Sequence, residues 1–458
     1  MLYYRKTHSN RALWAVFLSC MMLAVGVFGH RVYAGNIQSE LTDGQIIKVA
    51  EQYRMGSIYD REGNVIVQGT EQGAQWADDK TKRLFSDLMG IDIEKTVNSP
   101  FTVAGNCAWL FGTEDNRFGL KDLIDPGQAR VGGSVVLTLD VELQSYIDQI
   151  LAQYGFEHAT VMVSDYSTGE ILAAYGNVFV NMYHPGSTIK PILAAAILNL
   201  YPEMKDYTYE CVKDNHDFYT EQGWYHIDCA YEEEHGLVDM EAAIAQSCNG
   251  YFISLLQQIP REELQKELEK WGFDTVIAYE QFSYWDQTFL KDSDRETDYL
   301  LAAIGQANAY STVAGMHFCT NALLNGGTLH EPLLLEMKLS EPDGEWQNIV
   351  PDKSYQMCSA EVADMVETMM ESVTTWGIGK CFSYPEFAAK TGTAQKADKE
   401  GNILEEYTVW TTGGLTNEDT PYSVTVCLDQ VSEEIDSTWA GLVARDILDY
   451  LAKEDSNG

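Results

Sequence analysis

His184-Pro185-Gly186-Ser187-Thr188-Ile189-Lys190-Pro191 is the stretch from which the rest of the chain can be read. Gly186 permits a sharp turn, and Ser187 suits an N-cap or a first helical turn. The uncharged run Ile192, Leu193, Ala194, Ala195, Ala196, Ile197 and Leu198 that follows predicts a buried helix. Pro191 is tolerated there because first-turn N–H groups have no intrahelical partner. Lys190 comes three residues after Ser187, so the two side chains share one helical face, a turn apart. A serine hydroxyl is a weak nucleophile, and a desolvated amine beside it can lose its proton and act as its base. The positive end of the helix favours negative charge developing at the serine. Taken alone, S-x-x-K is frequent by chance and describes equally well a capping serine followed by a solvated lysine.

Two more words follow downstream, Ser247-Cys248-Asn249 and Lys390-Thr391-Gly392-Thr393. S-x-x-K, S-x-N and K-T-G, in that order, are the set shared by penicillin-binding proteins and serine β-lactamases. The neighbouring residues agree, with Gly250-Tyr251-Phe252 after the second word and Ala394-Gln395 after the third. The chain resembles a class B penicillin-binding protein, a peptidoglycan D,D-transpeptidase, from about residue 130 to 453 and more weakly from Arg54 to about 130.

That resemblance implies a role for each residue. Ser187 attacks the carbonyl between two terminal D-alanines of a stem peptide, and Lys190 accepts its proton. Ser247 relays the proton to the leaving amine, while Asn249 contacts Lys190 or the substrate amide. Lys390 supplies positive charge for the substrate carboxylate, supported by the hydroxyls of Thr391 and Thr393. Gly392 leaves room for a close approach to its strand. The backbone N–H groups of Ser187 and Thr393 form the oxyanion hole. The acyl-enzyme then meets an amine from a neighbouring stem peptide, giving a cross-link, or water, giving trimming. β-Lactams become covalent inhibitors of Ser187, no cofactor is needed, and the implied partner is a SEDS-family glycan polymerase in the same membrane. His184 stands where the family commonly carries an acidic residue.

Composition narrows the alternatives. The 458 residues carry 69 acidic and 30 basic side chains, a net charge of −39, which excludes a protein that neutralises nucleic-acid phosphates. Residues 12–29 are uncharged, and eighteen residues at ~1.5 Å each approach the ~30 Å hydrocarbon core. Arg5, Lys6 and Arg11 precede that run. The reading is a cytoplasmic tail over 1–11, a single retained transmembrane anchor over 12–29, and an extracytoplasmic body. Cleavage after Val32-Tyr33-Ala34 is the competing reading. The nine cysteines are an odd count and imply no complete disulfide framework. Cys211 and Cys229 flank a polar excursion and could pair, and Cys248 reads as a small buried residue. Without a C-x-x-C or H-E-x-x-H word, no metal is expected.

In chain order, residues 30–130 read as a linker and a small β-rich pedestal. Its clearest part is a strand, turn and strand from Arg54 to Val67 around Asp60, Gly63 and Asn64. The catalytic domain is expected to begin at Val131-Gly132-Gly133-Ser134 and to run to 458. Its opening reads as a strand over Val135–Leu139, a helix capped by Asp140 with Leu143, Ile147, Ile150 and Leu151 on one face, and a hairpin around Ser167-Thr168-Gly169. Cys211 to Glu234 reads as loop. Strands at the K-T-G word, Val409–Leu415 and Ser423–Leu428 precede a closing helix over Trp439–Leu451. Helices inserted between β elements from both ends of the chain give an α+β fold, an antiparallel sheet flanked by helices plus an all-helical lobe. A serine β-lactamase and a D,D-carboxypeptidase use the same words. No Glu-x-x-Leu-Asn segment that would hold a deacylating water lies between Asn249 and Lys390. A non-catalytic β-lactam sensor or cell-wall scaffold is the alternative from another class, and three intact words speak against it.

Overall fold

The computed structural model describes residues 53–457 apart from 55, 71–72, 92–101, 108–109, 111–129, 222, 230–233, 276–278, 280, 282–286, 291–292, 340–343, 351–352 and 398–402. The expected tail and anchor, residues 1–29, lie outside these, as does much of the linker and pedestal. Among the described residues no helix is long and apolar enough to cross a membrane.

A five-stranded antiparallel sheet organises the catalytic region. Its strands are β1 (Ala159–Asp165), β2 (Ile171–Tyr175), β3 (Phe387–Ala397), β4 (Ile403–Leu415) and β5 (Tyr422–Val431), in the order β3-β4-β5-β1-β2. The hairpin expected around Ser167-Thr168-Gly169 is β1–β2, with Asp165 Oδ1 accepting the Ser167 and Thr168 N–H groups. Sequence-distant β5 joins β1 with Thr425 opposite Met162.

Strand alternation sorts side chains to two faces. Val161, Val163, Val424, Val426, Leu428 and Ala389 pack with α1 (Val141–Tyr154) and the C-terminal helix, while Met162, Cys427, Ala388 and Trp410 join the core of the helical lobe. α1 begins as expected: Asp140 accepts the Glu142 and Leu143 N–H groups, and Leu143, Ile147, Ile150 and Leu151 are buried. The lobe contains α2 (Lys190–Leu200), α3 (Met240–Ala245), α4 (Asn249–Leu256), α5 (Val313–Leu324) and α6 (Ala360–Thr375). The closing helix, α7, spans Ser437–Asn457. The chain thus has the expected α+β architecture.

Two expectations need correction. A mixed six-stranded sheet runs in the order 347–348, 335–339, 134–137, 58–59, 65–70, 73–76. Residues 58–59 pair in parallel with 134–137, which pair antiparallel with 335–339. The domain boundary placed at 131 therefore cuts through one sheet, because Val135 and Leu137 need Ile58 and the 335–339 strand to bury their faces. The turn between strands 58–59 and 65–70 forms as expected, with Asp60 Oδ1 accepting from the Glu62 and Asn64 N–H groups. Second, Cys211 to Glu234 is not plain loop. Tyr209–Cys211 pairs with Gly236–Val238, and Asp217–Thr220 forms a hairpin with Gly223–His226. Aromatic cross-strand pairs, Phe218 opposite Tyr225 and Tyr219 opposite Trp224, join the two strands of that hairpin.

Candidate active site

The serine word folds as one 3₁₀ turn, Gly186–Ile189, leading into α2. Ser187 takes the second of its two expected places, inside the first turn and not at the cap, which is Pro185. Thr188 Oγ1 closes the turn, donating to the Pro185 carbonyl at 2.6 Å. Pro191 sits at the helix start as expected. Gly186 has φ +54°, and a Cβ there would lie 2.7 Å from the Thr393 carbonyl oxygen, so the turn lies backbone to backbone against β3. Gly392 answers it from the other side: its Cβ would lie 2.7 Å from the Pro185 carbonyl oxygen. Trp410, opposite Gly392 on β4, donates its indole N–H to the His184 carbonyl at 3.1 Å. The His184 ring stacks on Tyr310 at 4.1 Å and meets the Ala309 carbonyl through Nδ1, and burial lowers its basicity.

Lys190, Ser247, Asn249 and Lys390 converge beside this turn. Lys190 Nζ donates to Asn249 Oδ1 at 2.8 Å and the Ser247 carbonyl at 2.8 Å, and lies 3.4 Å from Ser247 Oγ. Lys390 Nζ donates to Ser247 Oγ at 3.0 Å and to the Thr391 carbonyl at 2.9 Å. One hydroxyl therefore stands between two amines, both fully buried. Burial lowers Lys190 to about 8, against the opposing pull of the nearby Cys229, Cys248 and Cys211 sulfurs. Lys390 is lowered well below the usual lysine range by burial and then by repulsion from Lys190. The arrangement can accept, hold and pass a proton beside a nucleophilic hydroxyl.

Ser247 reaches this position in a left-handed backbone, φ 57°, between α3 and α4. On the edge strand β3, Lys390 shares a face with Ala388 and Gly392, directed toward the serine turn. Thr391 is buried and Thr393 is exposed beside Ser187. The fold thus joins Lys190, Ser247, Asn249 and Lys390 by hydrogen bonds and sets the turn that carries Ser187 against Gly392 and Thr393.

A family model described as the penicillin binding protein transpeptidase domain matches residues 159–449. The chain belongs to this family. Stage V sporulation protein D of Bacillus subtilis is 25% identical over 365 residues, covering 70% of this chain and 53% of that protein. Peptidoglycan D,D-transpeptidase MrdA of Salmonella typhimurium is 23% identical over 328 residues, covering 62% of this chain and 49% of that protein. The chain spans about half the length of these curated relatives. Two solved penicillin-binding proteins of Mycobacterium tuberculosis share the fold. Penicillin-binding protein 3 in its apo form has a TM-score of 0.69 at 21% identity, covering 88% of this chain and 97% of that one. The ceftriaxone acyl-enzyme complex of penicillin-binding protein A has a TM-score of 0.73 at 16% identity, covering 88% and 99%.

The cysteine expectations are revised. Cys211 and Cys229 are free thiols with their sulfurs 3.7 Å apart, not a disulfide. Cys248, the middle residue of S-x-N, is buried as expected, but its sulfur lies 3.9 Å from that of Cys229. With His235 they form a group whose four ligand atoms lie within 4.8 Å of one another. Their wide spacing in sequence matches no short metal-binding word, so only the fold assembles them.

Proposed function

We propose that this penicillin-binding domain is a peptidoglycan D,D-transpeptidase that cross-links stem peptides through an acyl-enzyme on Ser187 and is blocked covalently by β-lactams. The observation that carries this reading is the Ser247 hydroxyl held between the Lys190 and Lys390 amines, beside the turn that presents Ser187. Lys190, in its neutral form, takes the Ser187 proton as the hydroxyl attacks the carbonyl between the terminal D-alanines. Ser247 passes a proton to the leaving D-alanine amine. Lys390 receives the substrate carboxylate, whose charge restores the proton that burial disfavours. The backbone N–H groups of Ser187 and Thr393 stabilise the oxyanion, and losing one such donor typically costs ~10²–10³ in rate. An amine of a second stem peptide then takes the acyl group and releases Ser187.

In the same reading residues 12–29 anchor the chain with its catalytic domain outside the cell membrane. A SEDS-family polymerase supplies uncross-linked strands there. The acyl transfer is tested by intact mass after incubation with a penicillin: wild type gains one penicilloyl group and Ser187→Ala gains none. An adduct on Ser187→Ala would overturn the assignment. Rapid turnover of a chromogenic cephalosporin would make the protein a β-lactamase instead. Muropeptide analysis after lipid II polymerisation separates the last alternative, since trimmed monomers without dimers would make it a carboxypeptidase.

A further inference from the structure

At the S-x-N turn, whose middle residue is Cys248, the sulfurs of Cys211, Cys229 and Cys248 converge with the ring of His235. A zinc ion with Zn–S bonds of about 2.3 Å and a Zn–N bond of about 2.05 Å sets tetrahedral edges of about 3.8 Å between sulfurs and about 3.5 Å between sulfur and nitrogen. The Cys211–Cys229 and Cys229–Cys248 separations are 3.7 and 3.9 Å, and Cys211 Sγ lies 3.4 Å from His235 Nδ1. All three cysteines are buried.

The surroundings suit thiolates rather than thiols. The Asn249 N–H points at Cys229 Sγ at 3.3 Å, and the Tyr251 N–H points at Cys248 Sγ at 3.4 Å. His216 lies 3.3 Å from Cys211 Sγ through Nε2, and its Nδ1 lies 3.0 Å from Asp228 Oδ1, so a carboxylate-held imidazole stands as an outer partner of the Cys211 sulfur. Four ligands of the Cys₃His type, three buried cysteines and a half-buried His235, select zinc over the oxygen-seeking cations.

We propose that Cys211, Cys229, His235 and Cys248 bind one structural Zn²⁺ that holds the S-x-N turn in place. The cysteines bind as thiolates and release their protons on binding. The ion ties the Tyr209–Cys211 strand and the segment ending at Cys229 to Cys248, between Ser247 and Asn249. Asn249 is held in addition through its Nδ2, which donates to the Asp228 carbonyl at 2.9 Å, while its Oδ1 receives Lys190. These cysteines and His235 are positioning residues: they act on Lys190 only through Ser247 and Asn249.

The test is independent of whether the acyl-enzyme leads to cross-linking. The full-length chain, purified without chelator, is analysed for metal. About one zinc per chain is expected, and displacing it exposes three further titratable thiols. Co²⁺ exchanged into the site gives thiolate-to-cobalt charge-transfer bands and tetrahedral ligand-field bands. Cys229→Ser loses the metal, and His216→Gln weakens its affinity by about 10–100-fold, the usual effect of removing an outer partner. If Cys229→Ser fails to fold, wild type stripped by chelator and reloaded with Zn²⁺ gives the same answer. The penicillin acylation rate falls on stripping and returns on reloading, and its pH profile changes shape between the two states, which a merely destabilised fold would not produce. A chain that carries no transition metal and takes up none from added Zn²⁺ overturns the proposal, whether its thiols are free or an intact mass lower by two hydrogens reveals a Cys211–Cys229 disulfide.

Discussion

Ser247 combines an uncommon backbone with a hydroxyl held between two buried amines. A left-handed conformation costs a non-glycine residue about 1–3 kcal/mol, and in this conformation Oγ stands between Lys190 and Lys390. Ser247→Gly should therefore hold or raise the melting temperature while lowering the penicillin acylation rate by about 10²–10⁴-fold, the usual range for proton-transfer groups. Loss of both together would show that the hydroxyl is structural. Lys190 gives the second prediction. It is lowered to about 8, chiefly by burial, so its base form grows as pH rises toward and past that value. Acylation should rise about tenfold per pH unit well below 8 and level off above it. A profile flat from pH 6 to 9 would exclude Lys190 as the base. The stability linkage has a defined sign: the folded state disfavours charged Lys190, so its destabilising contribution is complete below about 8 and fades as pH rises toward the ordinary value of 10.5.

Within elements, the chemistry was legible wherever it was written in consecutive residues. The S-x-x-K turn, the Asp140 cap, the β1–β2 hairpin and the K-T-G edge strand follow from local turn, cap and alternation rules, and all four formed. Contacts between elements were not legible, because they depend on how the sheet and the lobe meet. The Ser247 bridge joins α3, α2 and β3; the Trp410 bond to His184 joins β4 to the serine turn; the cysteine cluster gathers four separate segments. The K-T-G glycine shows both levels. Its small size was readable, but its reason is the Pro185 carbonyl 2.7 Å from where a Cβ would stand. Gly392→Ala must push β3 off the serine turn, at about 1–3 kcal/mol for overpacking. Its melting temperature should fall and its acylation rate should fall further than Thr391→Ser, which keeps the close approach. Equal, small effects from the two would show that the strand and turn can separate freely.

At the scale of the whole molecule, the two sheets are stitched where the chain would have been divided. Ile171 N–H donates to the Leu333 carbonyl at 2.8 Å, and Thr138 Oγ1 donates to the carbonyls of Ile171 and Leu333. Ile58, Ile66, Val67, Leu84 and Phe85 belong to the same apolar core as Val135, Leu137 and the α2 residues Ile192, Leu193 and Ile197. The apolar core that buries the catalytic helix is thus continuous with residues that precede the expected domain start. A fragment beginning at residue 131 strips the 134–137 strand of its 58–59 neighbour and exposes buried apolar groups, each worth about 1.5–3 kcal/mol when covered. Since whole domains are stable by only about 5–15 kcal/mol, that loss should leave residues 131–458 aggregated or molten. Residues 53–458 retain the strands and should remain soluble, melt cooperatively and form the penicilloyl adduct on Ser187. Soluble yield, thermal melting and intact mass of the two fragments decide the matter. If the shorter fragment melts as high as the longer one and acylates as fast, the six-stranded sheet is an accessory to the catalytic fold and not a part of it.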